Sequence, residues 1–138
     1  MPAGFHHITL NVTDLARARA FYEGLLGFRV DQDFPGEKLR FRLESTGTRL
    51  VVRPVLPGTP AGDRFTEFRV GLDHIAIGAT RAEVLRLTET LHAAGVAADL
   101  HRDRAGSNAM VTFRDPDNIQ WEFFEESSAG VAAVGYQR

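Results

Sequence analysis

Apolar and polar residues alternate along residues 5–12, with Ile8, Leu10 and Val12 on one face and His7, Thr9 and Asn11 on the other. A period of two is that of a half-buried strand. From residue 15 the period changes, and Leu15, Ala18, Phe21, Tyr22, Leu25 and Leu26 recur at helical spacing. They form one stripe suited to lie on the apolar face of the strand. Thr13 and Asp14 are good N-caps for this helix over 15–26, and Gly27 ends it. Short strands are predicted over about 28–34, 38–44 and 48–55, the last two joined by a turn at Ser45, Thr46 and Gly47.

The same order of elements then returns. Residues 72–78 read as a strand, Thr80 and Glu83 form a capping-box pattern, and Gly95 closes the helix. Strands over about 96–101, 109–114 and 119–124 follow, with strong turn chemistry at Asp115-Pro116-Asp117-Asn118, where Asn118 tolerates a left-handed backbone. FHHITLNVTDLARARAFYEGLLGF and LDHIAIGATRAEVLRLTETLHAAGV put His7 and His74 at matching places, 67 residues apart. That period is too long for a solenoid and describes a pair of modules. The expected fold is α+β, two tandem βαβββ modules within one domain. Module 1 spans about 5–55, a Pro- and Gly-containing linker about 56–70, module 2 about 71–125 and a C-terminal tail 126–138. Each helix covers one side of its sheet, which leaves the other side free to enclose a cavity.

Composition acts by exclusion. The formal charge of −2 and the lack of a basic stripe give no electrostatic reason to bind nucleic acid. No apolar run approaches the ~18 residues of a membrane span, and MPAGFHHITL has no export pattern, so a cytoplasmic location is expected. With no cysteine in 138 residues, disulfides, thiolate metal sites and cysteine nucleophiles are all excluded.

Strand alternation selects the side chains that face the enclosure. His7 shares its face with Thr9 and Asn11, and His74 opposes Ile75 and Ile77. Glu122, in the middle of IQWEFF, opposes Trp121 and Phe123. A carboxylate in that apolar setting needs compensation. Two imidazoles and a carboxylate converging there would form a metal site with open coordination positions.

The segments HITLNVTDL…FYEGLLGF, GLDHIAI and FRDPDNIQWEFF resemble the vicinal oxygen chelate superfamily, over almost the whole chain. Glyoxalases, extradiol dioxygenases, epimerases, fosfomycin thiol transferases and bleomycin-resistance proteins make up that superfamily. The resemblance implies a glyoxalase-like half-open barrel around a central cavity, with His7, His74 and Glu122 as metal ligands. It implies a homodimer and a small-molecule substrate. It also implies a divalent ion (Fe, Mn, Ni, Co or Zn) acting as Lewis acid in a lyase, isomerase or dioxygenase reaction. The alternatives are a drug- or metabolite-sequestering protein of the bleomycin-resistance type and a fosfomycin-type thiol transferase, whose loop pattern residues 105–109 match poorly.

Glyoxalases and epimerases of the superfamily take a fourth ligand from the last strand of the first module. Aligning the Gly47 and Asn118 turns puts Val51 opposite Glu122, so the site resembles the three-ligand type. Glu44 could serve as a fourth ligand only if that strand ended elsewhere. Thr9, Asn11 and Thr112 either contact substrate or serve the sheet and the histidine. Arg53 either clamps an anionic substrate or is a solvated strand-end charge. Arg40, Arg42 and Glu44 read as a wet sheet face, residues 102–107 as a polar loop or lid, and Phe65, Phe68 and Trp121 as core or interface.

Overall fold

The computed structural model describes residues 1–2, 4–43, 47–102 and 108–126, where the alternation becomes two sheets of identical topology. Glu44, the loop 103–107 and the tail from 127 lie outside the described residues. The chain divides into the units Met1–Arg64 and Phe65–Arg138, at a point inside the 56–70 stretch.

In the first unit β1 (His7–Val12) leads into α1 (Leu15–Arg19), which continues without a break as a π-helical segment (Ala20–Leu25). Strands β2 (Arg29–Phe34), β3 (Lys38–Arg42) and β4 (Arg49–Pro54) complete it. Asp14 caps the helix, its Oδ1 accepting the Arg17 N–H at 3.0 Å. The sequence predicts one α-helix over 15–26; the structure widens its second half, with Leu26 N–H donating to Phe21 O. Phe21 and Tyr22 are adjacent, and both must be buried. A wider turn rotates neighbouring residues apart by less, so both rings reach the sheet. They meet edge to face at 5.3 Å, and Tyr22 stacks on Phe28 at 6.2 Å. Gly27 then takes the positive φ of +73° that stops the segment.

The strand order is β1-β4-β3-β2, with β1 and β4 parallel and the other pairs antiparallel. Leu10, Val12, Leu39, Phe41, Leu50 and Val52 form the buried face. The opposite face carries His7, Thr9 and Asn11 on β1, Val51 and arginines on β4, and Arg40 and Arg42 on β3.

The second unit repeats the plan with β5 (Ile75–Ala79), α2 (Arg81–Ala93), β6 (Ala98–Arg102), β7 (Ala109–Arg114) and β8 (Gln120–Glu125), in the order β5-β8-β7-β6. The Thr80–Glu83 capping box is complete: Thr80 Oγ1 accepts the Glu83 N–H at 3.2 Å, and Glu83 Oε2 accepts the Thr80 N–H at 2.8 Å. Asn118 adopts φ +72°, and Asp115 Oδ1 accepts the N–H groups of Asp117 and Ile119 at 2.9 and 2.8 Å. Trp121 is fully buried, whereas Phe68 is exposed rather than core. Strand β5 starts three residues later than the pattern predicts, because pairing begins at Ile75 with Trp121.

Thr80→Ala is expected to cost about 1 kcal/mol through the lost cap. Trp121→Ala, which empties a fully buried site, is expected to cost about 3–5 kcal/mol. Urea unfolding followed by circular dichroism measures both, and comparable losses would contradict this assignment of cap and core.

Candidate functional site

On β8 the order Gln120, Trp121, Glu122, Phe123 alternates between the open face and the core. Glu122 therefore stands on the open face, in a row that runs Ala76, Glu122, Thr112, Asp99 across β5, β8, β7 and β6. A cleft of about 400 Å³ adjoins this row, lined by Asp99, Thr112, Arg114 and Gln120 among others. Arg114 is fixed at its edge, donating to Glu67 Oε1 and Oε2 at 2.7 and 3.2 Å and to Gln120 Oε1 at 2.9 Å.

The Glu122 side chain is only 13% exposed, and its Oε2 lies 3.3 Å from His74 Nε2. The other ring nitrogen, Nδ1, is 2.6 Å from Asp73 Oδ1. A carboxylate accepts, so Nδ1 carries the proton and donates. In the neutral ring, Nε2 then holds a lone pair directed at another lone-pair donor. Such a contact needs a second proton or a cation between the two atoms. Ligands at about 2.1 Å from a common ion lie roughly 3 Å apart, so this His/carboxylate pair suits a divalent metal as its donor set requires.

His74 is placed just before β5 rather than within it, and Asp73 beside it is a partner that the strand reading misses. Adjacency in sequence was the only available signal, since a strand would have turned the two side chains to opposite faces.

In the first unit His7 is exposed at the start of β1, its Nδ1 2.8 Å from His6 Nδ1 with the rings edge to face. Thr9 and Asn11 are exposed on the same face, and Arg53 Nε donates to Asn11 Oδ1 at 3.2 Å. The ladder pairs Thr9 with Val51 where the second unit pairs Ala76 with Glu122. Val51 thus occupies the register of Glu122 without a donor atom. Of the expected ligands the structure brings together His74 and Glu122; among the described residues no three His, Asp or Glu gather in one metal-binding group. Arg40 is tied to Asp31 by two bonds of 2.8 and 3.1 Å. His92 meets the Ala98 carbonyl through Nε2 at 2.7 Å.

Hydrogen bonds from Arg114 hold the Glu67 carboxyl below its ordinary value. A lowered folded value stabilises the fold above the unfolded value of about 4.3, and that contribution is lost as pH falls through the folded value. Thermal stability is expected to drop on acidification below about pH 4.3, and Glu67→Gln should flatten part of the drop. An unchanged acid profile in that variant would refute the assignment.

Residues 4–123 match the model of the Glyoxalase/Bleomycin resistance protein/Dioxygenase superfamily. Protein YwkD of Bacillus subtilis (strain 168) is 26% identical over 125 residues, covering 88% of this chain and 95% of that protein. The structure of a glyoxylase/bleomycin resistance protein/dioxygenase domain from Frankia sp. EAN1pec superposes with a TM-score of 0.79 at 26% identity, over 92% of this chain and all of that one. Lactoylglutathione lyase from Agrobacterium tumefaciens shares the fold, with a TM-score of 0.68 at 24% identity over 90% and 94% of the two chains.

Proposed function

Because the chain belongs to the Glyoxalase/Bleomycin resistance protein/Dioxygenase superfamily, we propose that it is a metal-dependent enzyme of lyase, isomerase or dioxygenase type. Its substrate is a small molecule that binds through oxygen. The observation that carries this reading is the His74 Nε2–Glu122 Oε2 pair with Asp73 on the far nitrogen.

His7, His74 and Glu122 are the proposed ligands, for Fe, Mn, Ni, Co or Zn. When bound, the ion supplies Lewis-acid polarisation of a substrate oxygen. The rest is the work of this chain's own side chains. Asp73 fixes the tautomer of His74 and aims its Nε2, the usual role of a carboxylate behind a ligating imidazole. Glu122 contributes negative charge from a half-buried position, where electrostatic interactions are stronger than in water. Thr112, its direct neighbour on β7, offers a hydroxyl to a substrate in the adjoining cleft. On β1, Thr9 offers a hydroxyl and Asn11 a side-chain amide to substrate, and Arg53 is held over that strand by Asn11. With Val51 in the register of Glu122, three protein donors leave positions open for substrate.

No described helix is long and apolar enough to cross a membrane, and the reading keeps a cytoplasmic homodimer. The exposed Phe68 and Val70 support self-association.

Metal analysis of untagged protein is the test. Near-stoichiometric metal is expected in the wild type, with loss in His74→Ala and Glu122→Gln. Asp73→Asn is expected to weaken metal affinity about 10–100-fold. Wild-type protein that stays empty after all five ions are offered would overturn the reading and favour a metabolite-sequestering protein.

A further inference from the structure

Arg49 sits across the β3–β4 ladder from Arg42, and the same row continues to His7 on β1 and Arg29 on β2. Neighbouring strands lie about 4.7–4.9 Å apart, so two guanidinium stems run side by side on the open face. Like charges directly opposite one another destabilise a sheet. Nor are these arginines loosely solvated: the Nε atoms of both Arg42 and Arg49 are out of contact with solvent and, among the described residues, have no hydrogen-bond partner. An unpaired buried donor on a charged group is expensive. The nearby Asp31 does not relieve it. Both Asp31 oxygens are taken by Arg40, although Arg49 and Arg42 are close enough to help hold its carboxyl low. Two half-buried cations with unused donors, placed in register, are the complement of an oxyanion. A guanidinium fork matches carboxylate and phosphoryl oxygens alike.

We propose that Arg42 and Arg49 form a cradle for an oxyanion of the substrate, a carboxylate or a phosphoryl group, on the open face of the first sheet. Position in the row supports this, since Arg49 is the direct strand neighbour of His7. The substrate would then be a small acid, anchored at its anionic end by the arginines. Assigning that anion to the substrate rests on the metal-enzyme reading above; the cradle itself does not.

Calorimetric titration of EDTA-treated protein with inorganic phosphate and with malonate, at constant ionic strength in chloride, tests the cradle without any metal. Saturable binding of at least one anion is expected, weakened tenfold or more in Arg42→Met/Arg49→Met. Phosphate alone would identify a phosphoryl group, malonate alone a carboxylate, and both would support the cradle. Arg42→Lys/Arg49→Lys keeps the charge but loses the fork, and is expected to weaken binding at least threefold. It decides the matter if circular dichroism shows that the Met variant is unfolded. Binding no stronger than chloride, or unchanged in the variants, would overturn the proposal. Metal content is measured on the same variants: an empty wild type refutes the metal reading and leaves the anion titration standing, and the converse holds.

Discussion

A strand cannot turn two consecutive side chains to the same side, and the chemistry of this chain depends on that constraint. In both sheets one set of alternate residues is apolar and lies under a helix, which commits the other set to the open face. Leu50 and Phe41 are buried, so Arg49 and Arg42 must emerge opposite them. Trp121 and Phe123 are buried, so Glu122 must emerge between them. The core thus fixes the address of each polar group. Disturbing the register by a single residue would exchange the functional face for the apolar one.

The two units share topology but not chemistry. Strand for strand, the second sheet presents a carboxylate, a threonine and an aspartate in one row, Glu122, Thr112 and Asp99. The equivalent row of the first presents Val51, Arg40 and Gln32. Duplicated architecture has been kept where packing demands it, in the capped helix, the parallel first and last strands and the glycine stops. It has diverged on the face that packing leaves free.

Most of the fold was legible because its signals are local. The strand alternation, the Thr80–Glu83 box and the Asn118 turn each lie within a few residues of sequence. The π-helical widening was not legible, since it answers a tertiary demand, the burial of the adjacent rings of Phe21 and Tyr22, the latter against Phe28 and Phe41. For the site, the alternation correctly set Glu122 apart from its aromatic neighbours. It could not find Asp73, whose contact with His74 exists only because the ladder has not yet begun there. Nor could it rank the arginines. Arg40 and Arg42 look alike in sequence, and only cross-strand partners reveal that one is neutralised by Asp31 while the other faces a second cation.

A nearly neutral protein can still be strongly polar. The chain's formal charge is −2, yet Arg29, Lys38, Arg40, Arg42, Arg49 and Arg53 share one face of the first sheet, where among the described residues Asp31 is bridged to Arg40 alone. Such lopsidedness acts before any contact forms. Within a Debye length of about 8–10 Å the field would turn an approaching anion toward the arginine face and raise its capture rate above that of a neutral molecule of equal size. Selectivity would then begin in the surrounding water, as a matter of encounter frequency that falls with ionic strength, ahead of any discrimination by fit.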